Sequence, residues 1–148
     1  MSAPGRSQAL IPEPFKGEGT PVSDRQLRVL YVDDDRINTL LFAETCRGDR
    51  RLQVLTAANP DDALDIAREA RPEVLVVDLH MPDADGLQLL ADLRRIEGLD
   101  RAPAFLCTAE RLEEVQQRAA EAGLAGVWIK PVQLATVQRD LERLALLG

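Results

Sequence analysis

Aromatic, cysteine and histidine side chains are scarce in this chain. Aromatic residues make up 3% of its 148 residues, and it contains two cysteines and one histidine. Cys46 and Cys107 do not form the spacing of a metal site, and Cys107 lies in an apolar run, as a small buried hydrophobic residue does. This cysteine usage favours a reduced, cytoplasmic setting.

Basic residues are also few relative to acidic ones, 18 against 25, which gives a net charge of −7. This balance argues against direct binding to nucleic acid or to an anionic membrane, because both favour a basic surface. No apolar run approaches the roughly 20 residues that cross a membrane, and the N-terminus lacks the basic-then-apolar layout of a secretory signal. The 45% apolar and 29% charged residues are typical of a globular domain.

The chain divides into two zones. Residues 1–26 contain four prolines and three glycines without a sustained period, which predicts a flexible N-terminal extension. From Leu27 onward, strand and helix patterns alternate, which predicts one domain over residues 27–148. Strands are predicted at 27–32, 52–57, 74–78, 104–107 and 126–129, and helices at about 36–47, 60–71, 87–98, 112–122 and 134–145.

Alternating strands and helices imply parallel pairing with right-handed crossovers. We therefore predict an α/β fold of the flavodoxin-like kind, a doubly wound sheet of five strand–helix units with strand order 2-1-3-4-5. In 74–78, four apolar residues run into a carboxylate, as in a strand buried on both faces. The first helix carries Ile37, Leu40 and Leu41 on one face, and Asn59 is expected to cap the second.

Polar residues stand at the carboxyl ends of four predicted strands and should meet at one edge of the sheet. They are Asp33, Asp34 and Asp35 after the first strand, Asp78 at the end of the third, Thr108 after the fourth and Lys130 after the fifth. The predicted order makes the first and third strands neighbours, at the switch point where ligands of such sheets bind.

The chemistry of these residues suits phosphoryl transfer. Clustered carboxylates need a cation, and oxygen ligands without a Cys or His cluster suit Mg²⁺. An ammonium from Lys130 and a hydroxyl from Thr108 suit an anion attached to Asp78, which as nucleophile would form an aspartyl phosphate. Each residue alone has an ordinary explanation as a loop, cap or surface residue. Together, at the ends of different strands, they indicate a site.

Four motifs carry a family resemblance, and their spacing fits it as well. They are Val29–Asp35 (VLYVDDD), Val76–Pro82 (VVDLHMP) with Asp85–Gly86, Leu106–Ala109 (LCTA) and Ile129–Pro131 (IKP). From about residue 27 to its end, the chain resembles the receiver domain of bacterial two-component response regulators. The resemblance implies that Asp78 accepts phosphate from a sensor histidine kinase or histidine phosphotransfer protein, and that the domain is a cytoplasmic signalling switch rather than an enzyme.

The resemblance also implies roles for the surrounding residues. Asp33, Asp34 and Asp78 would hold Mg²⁺ together with the backbone carbonyl of His80. The residues that would bind the phosphoryl oxygens are Thr108 and Lys130, and the Lys130–Pro131 peptide bond would be cis. A downstream protein would bind the face formed by the fourth helix, the fifth strand and the fifth helix.

The sequence departs from the family pattern in two respects. Receiver domains commonly carry Tyr or Phe three residues before the lysine, where this chain has Val127, so the usual aromatic switch is in doubt. Trp128 should point to the opposite side of the strand and serve as an apolar anchor. No output domain follows, which predicts a stand-alone receiver or one that acts through partner proteins. We further hypothesise that His80 and Glu110 tune hydrolysis of the phosphate.

Three alternative functions are less well supported by the sequence. An FMN-binding electron carrier is disfavoured, because Asp33–Asp35 would repel the FMN phosphate and aromatics are few. An aspartyl-phosphate phosphatase usually has a second Asp two residues after the nucleophile, where this chain has His80. A degenerate receiver that only docks is disfavoured by the full set of Asp, Thr and Lys residues.

Overall fold

The computed structural model describes residues 25–109 and 112–148. The predicted extension over 1–26 therefore lies outside the described residues except for Arg25 and Gln26, and Glu110 lies outside them as well. Within the described ranges, no helix is long and apolar enough to cross a membrane.

A five-stranded parallel sheet organises the domain, in the order β2-β1-β3-β6-β7. Its elements in chain order are β1 (Leu27–Val32), α1 (Arg36–Cys46), β2 (Leu52–Ala57), α2 (Pro60–Ala70), β3 (Val74–Asp78), β4 (His80–Met81), β5 (Ala84–Asp85), α3 (Gly86–Leu93), β6 (Ala104–Thr108), α4 (Leu112–Glu121), β7 (Gly126–Ile129) and α5 (Leu134–Arg143). The predicted fold and strand order are confirmed, since β6 and β7 are the predicted fourth and fifth strands.

The hairpin of β4 and β5 was outside the predicted elements. Its strands pair antiparallel, His80 with Asp85 and Met81 with Ala84, between β3 and α3. Each strand has two residues, too few to show an alternating pattern in the sequence. The hairpin lies directly after Asp78 and so forms one wall of the sheet edge.

Alternate residues of the strands enter two separate cores. Leu30 and Val32 of β1 belong to the core under α2, α3 and α4. Val29 and Tyr31 belong to the core under α1 and α5, together with Phe42 and Trp128. Strand β3 is buried along its whole length, as the prediction for a two-sided strand requires.

Helix α1 presents its apolar stripe to solvent. Ile37, Leu40 and Leu41 share one face as predicted, yet their exposures are 67%, 55% and 52%, although such a stripe normally faces the core. Phe42 and Cys46 are the residues of α1 that are buried against the sheet. The ring of Phe42 stacks on Tyr31 of β1, and this contact fixes which side of the helix faces inward.

Side-chain caps begin the helices at the carboxyl edge of the sheet. Asp35 accepts a hydrogen bond from the Ile37 N–H at 2.9 Å and caps α1. At α2, Asn59 accepts from the Asp62 N–H at 2.9 Å, which confirms the predicted cap. The caps satisfy backbone donors of the first helical turn and fix where each helix leaves the edge.

Candidate functional site

Three carboxylates meet at the carboxyl edge of the neighbouring strands β1 and β3. Asp33 and Asp34 follow β1, and Asp78 is the last residue of β3. Each offers a carboxylate oxygen that lies within 4.8 Å of those of the other two. Asp33 and Asp78 are buried, whereas Asp34 is exposed. The group is therefore open to solvent on one side while two of its carboxylates are largely withdrawn from water.

Lys130 joins this group from the end of β7. Its Nζ lies 2.8 Å from Oδ2 of Asp33 and 3.2 Å from Oδ1 of Asp78. Its backbone N–H donates to the carbonyl of Thr108 at 2.9 Å, and the Lys130–Pro131 peptide bond is cis. One ammonium is thus shared by two buried carboxylates, and negative charge remains in excess.

The pKa values at the site reflect burial first and then this excess of negative charge. Burial and the charge of Asp33 raise the pKa of Asp78 above its ordinary value, although Lys130 and the N–H of His80 act in the opposite direction. Burial lowers the pKa of Lys130, but the hydrogen bond to Asp33 and the charges of both carboxylates outweigh it and leave that pKa raised. A carboxyl with a raised pKa beside a protonated lysine indicates a site with room for more positive charge.

Tyr31 holds Asp33 from the interior of the domain. Its hydroxyl donates to Oδ2 of Asp33 at 2.9 Å and lies 3.8 Å from Sγ of Cys107. Burial first, then the charges of Cys107 and Asp33, raise the pKa of Tyr31, so the hydroxyl stays protonated. Oδ1 of Asp33 accepts from the Asp35 N–H at 2.9 Å. Both oxygens of Asp33 are therefore fixed by hydrogen bonds.

The other predicted site residues surround these carboxylates. Thr108 is buried at the end of β6, in register with Ile129 of β7. The backbone N–H of His80 donates to Oδ1 of Asp78 at 3.3 Å. His80 is exposed and lines a cleft above the carboxylates. The hypothesised partner of His80 in hydrolysis, Glu110, lies outside the described residues.

A cleft of about 430 Å³ opens over the carboxylates. Its walls are formed by the ends of β1 and β3, the first turn of α1 and the hairpin; the lining residues are Asp33, Asp34, Asp35, Asn38, Asp78, His80, Met81 and Pro82. Asp35 lies at the rim, where its carboxylate caps α1.

Gly86 fits tightly behind Asp78. A Cβ atom built on Gly86 would overlap the carbonyl oxygen of Asp78 and approach the Cα of Leu79 to 3.1 Å. Because these are backbone atoms, no side-chain rotation could relieve the overlap. The absence of a side chain at Gly86 lets α3 start directly against the end of β3, which positions Asp78.

Sequence reasoning missed Tyr31 and Asn38 as site residues. Tyr31 looks like a member of an apolar strand, but it precedes Asp33 by two residues and so shares its strand face. Asn38 lies in the first turn of α1, which begins directly after Asp33–Asp35. Both could be found once the end of β1 is known to bear the site.

Val127 and Trp128 face opposite sides of β7, as predicted. Val127 packs on the core under α2, α3 and α4. Trp128 is 1% exposed in the other core, where its indole N–H donates to Oδ2 of Asp140 at 2.8 Å. The large side chain in this part of β7, Trp128, therefore points toward α5.

The family model of the response regulator receiver domain matches residues 29–142. The chain belongs to this family. The match covers the sheet except for the first two residues of β1, together with the carboxylate group and Lys130. The family assignment and the geometry of the site therefore concern the same part of the chain. Receiver domains are components of two-component signalling, and the domain described here is a receiver domain.

Individual relatives agree with this assignment. The chain is 37% identical over 109 residues to a protein-glutamate methylesterase/protein-glutamine glutaminase of Anaeromyxobacter dehalogenans, covering 73% of this chain and 31% of that protein. It is 36% identical over 105 residues to the transcriptional regulatory protein AfsQ1 of Streptomyces coelicolor, covering 71% and 44%. The chain thus spans less than half the length of these relatives.

Among solved structures, the fold is similar to the chemotaxis protein CheY4 of Vibrio cholerae. The TM-score is 0.70 at 29% sequence identity, over 80% of this chain and 98% of that one. CheY4 is matched over nearly its whole length, so the shared region corresponds to a complete receiver fold.

Proposed function

We propose that the domain is a phosphorylation switch in which Asp78 accepts a phosphoryl group from a phosphohistidine. The observation that carries the proposal is the convergence of three carboxylates with Lys130 at one sheet edge. A carboxylate oxygen of Asp78 would attack phosphorus while the bond from phosphorus to the donor imidazole breaks, with its electron pair kept by nitrogen. The product is an aspartyl phosphate on Asp78.

Lys130 and Thr108 are proposed to stabilise that phosphate. The Lys130 ammonium already lies 3.2 Å from Oδ1 of Asp78, so it can pair with a phosphoryl oxygen without a large movement. The hydroxyl of Thr108 would donate a hydrogen bond from the adjacent strand β6. Positive charge placed where the phosphoryl group develops negative charge is the main source of catalysis in phosphoryl transfer.

The carboxylate group fits Mg²⁺. Its donor atoms are carboxylate oxygens, which are hard ligands, and the group contains no cysteine sulfur or histidine nitrogen. These oxygens lie close enough together to share one ion. Asp33, Asp34 and Asp78 would hold the ion, with the backbone carbonyl of His80 as a further ligand. When bound, Mg²⁺ would neutralise charge on the carboxylates and on the phosphoryl oxygens.

The phosphodonor is proposed to be a sensor histidine kinase or histidine phosphotransfer protein. The chain is 34% identical over 121 residues to the sensor histidine kinase RcsC of Escherichia coli, covering 81% of this chain and 12% of that protein. The first turn of α1 lines the cleft through Asn38, and Ile37, Leu40 and Leu41 on the same helix are exposed. An apolar surface beside the cleft suits a protein donor that must bring a histidine to Asp78.

The output surface is proposed to be the face of α4, β7 and α5. A groove of about 530 Å³ there includes Val127, Ile129, Lys130 and Arg139. Since Lys130 contacts Asp78 and also borders this groove, a change at the phosphorylation site can reach the groove directly. A downstream protein that binds one state more tightly would shift the population toward it.

The metal-dependent part of the proposal is tested with beryllofluoride, which mimics a phosphoryl group on a carboxylate. Fluorine NMR should show one bound species with Mg²⁺ and none after chelation. Asp34→Asn should weaken Mg²⁺ binding measured by calorimetry. Asp35→Asn is the matched control, because asparagine can still cap α1 and Asp35 lies outside the three-carboxylate group. Equal Mg²⁺ affinity in Asp34→Asn and wild type would contradict the assigned ligand set.

Hydrolysis of the phosphate is proposed to be tuned by His80 and Glu110. His80 lines the cleft that contains Asp78, so its side chain can influence an attacking water molecule. His80→Ala and Glu110→Ala should change the half-life of phosphorylated protein, measured after removal of the phosphodonor. Unchanged half-lives in both variants would remove this part of the proposal.

A further inference from the structure

The aromatic residues of the described chain form one continuous stack. Within residues 25–109 and 112–148 they are Tyr31, Phe42, Phe105 and Trp128. The ring centroids of Tyr31 and Phe42 lie 4.3 Å apart, those of Phe42 and Trp128 6.3 Å apart, and those of Phe105 and Trp128 4.2 Å apart. All four rings are buried. A chain with few aromatics has therefore placed these four in a single row.

Two rings of the stack, those of Tyr31 and Trp128, are hydrogen-bonded to buried carboxylates. At one end the Tyr31 hydroxyl donates to Oδ2 of Asp33 at 2.9 Å. Farther along, between Phe42 and Phe105, the indole N–H of Trp128 donates to Oδ2 of Asp140 on α5 at 2.8 Å. Asp140 also lies 3.2 Å from Nε of Arg139, which borders the groove of the proposed output face. The stack thus connects the carboxylate group to that face.

We propose that Tyr31 is a positioning residue that fixes Asp33 for a divalent cation and couples it, through Phe42 and Trp128, to helix α5. The inference rests on the proposed function, because it requires the cation to bind at Asp33. Tyr31 itself touches neither the cation nor the phosphoryl group. Its hydroxyl acts through the carboxylate that it holds.

The argument for positioning concerns Oδ2 of Asp33. This oxygen has two donors, the Tyr31 hydroxyl and the Lys130 ammonium. If the Lys130 ammonium pairs with a phosphoryl group on Asp78 and leaves Asp33, Oδ2 of Asp33 keeps the hydrogen bond from the Tyr31 hydroxyl. Residues that hold a metal-ligating carboxylate in this way typically affect metal affinity by about 10- to 100-fold.

The argument for coupling concerns packing. A ring in a close-packed core cannot shift far without moving the side chains around it. A displacement of Asp33 would therefore move the Tyr31 ring, then Phe42 of α1 and Trp128 of β7. Val127 faces the other core, so this route lies on the opposite side of β7 from the position where the family usually has an aromatic residue.

Two variants of the full chain separate positioning from coupling. Tyr31→Phe removes the hydroxyl but keeps the ring, whereas Phe42→Leu keeps the hydroxyl but interrupts the stack. Each is titrated with MgCl₂ alone, with affinity read by calorimetry and coupling read by tryptophan emission, since Trp128 is the only tryptophan in the chain. Leu40→Ala, on the exposed side of α1, is the matched control. If Phe42→Leu does not fold by circular dichroism, Phe42→Met replaces it.

In the wild type and in Leu40→Ala, Mg²⁺ should bind and change the emission of Trp128. Tyr31→Phe should bind Mg²⁺ roughly 10-fold more weakly and show a smaller emission change at saturation. Phe42→Leu should keep the wild-type affinity and lose the emission change.

Other results overturn the inference in distinguishable ways. Wild-type affinity in Tyr31→Phe, or a full emission change in Phe42→Leu, contradicts it and leaves the proposed function intact. The same holds if the wild type binds Mg²⁺ with no change at Trp128. If calorimetry detects no Mg²⁺ binding to the wild type, the proposed metal site fails and the inference fails with it.

Discussion

The ammonium of Lys130 lies 2.8 Å from Oδ2 of Asp33, closer than its 3.2 Å approach to Oδ1 of Asp78. Lys130 is thus held mainly by the carboxylate that Tyr31 also holds. A phosphoryl group on Asp78 would offer the same ammonium more strongly charged oxygens on its other side. The switch can therefore be described as competition between two anionic partners for one cation.

A methyl group at Gly86 should damage the site from behind. Gly86→Ala places a Cβ against the backbone of Asp78 and Leu79, and we expect a loss of about 1–3 kcal/mol in the free energy of unfolding, with slower phosphorylation. Gly126→Ala is the control, because its Cβ would lie 3.4 Å from the Phe105 ring, an ordinary contact. Urea unfolding of the two variants checks the difference, and equal stabilities would refute the close approach.

The exposed apolar stripe of α1 should affect the rate of phosphorylation by a protein phosphodonor but not by a small-molecule donor. Leu40→Arg is expected to slow phosphorylation by the cognate kinase or phosphotransfer protein while leaving the rate with acetyl phosphate unchanged. Stability should change by no more than about 0.5 kcal/mol, because the side chain is exposed. Equal loss with both donors would mean that the substitution harms the site itself and not a docking surface.

Asp49 should make the domain sensitive to acid. Hydrogen bonds from Arg51 lower the pKa of Asp49 from its ordinary value of 3.8, with help from Gln138. Because the folded-state pKa is depressed, this stabilisation is present above about pH 4 and is lost as the pH falls through the folded-state pKa. Asp49→Asn should cost about 1–3 kcal/mol near neutral pH and less at pH 3.

Urea unfolding at both pH values measures the Asp49 effect. Asp61→Asn is a suitable control, since Asp61 is exposed in the first turn of α2. A penalty for Asp49→Asn that stays constant between the two pH values would contradict the stated role of the ionised carboxylate.

Both thiols should be unreactive in the folded protein. Cys46 and Cys107 are buried, and burial is the main cause that raises the pKa of each to about 12. The thiolate, which is the reactive form, is therefore scarce at neutral pH. A thiol reagent should label neither cysteine in the native state and both in denaturant. Rapid native labelling would show that the core under α1 and α5 opens readily.

Much of the site could be predicted because parallel topology places strand ends at one edge. The apolar residues of 74–78 predict a strand that is buried on both faces. Asp78 ends this strand, so it is expected at the carboxyl edge of the sheet. The same reasoning placed Asp33 and Lys130 at that edge, where the structure brings them into contact. The positions of these residues follow from the order of elements along the chain, because strands that alternate with helices run parallel.

What could not be predicted depends on tertiary contacts. The apolar stripe of α1 does not mark its inward face, because the stacking of Phe42 on Tyr31 decides the orientation of the helix. The hairpin at His80 and Asp85 depends on pairing between two-residue strands. The role of Tyr31 depends on a hydroxyl at the end of an apolar side chain, which sequence pattern treats as part of the core.

Phosphorylation of Asp78 itself is the most direct test of the account. The protein is incubated with acetyl phosphate and Mg²⁺ and analysed by intact mass spectrometry, beside Asp78→Asn and the control Asp83→Asn in the exposed hairpin turn. The account predicts one added phosphoryl group on the wild type and on Asp83→Asn, none on Asp78→Asn, and none after chelation of the metal. An equal adduct on Asp78→Asn, or no adduct on the wild type, would contradict the central claim.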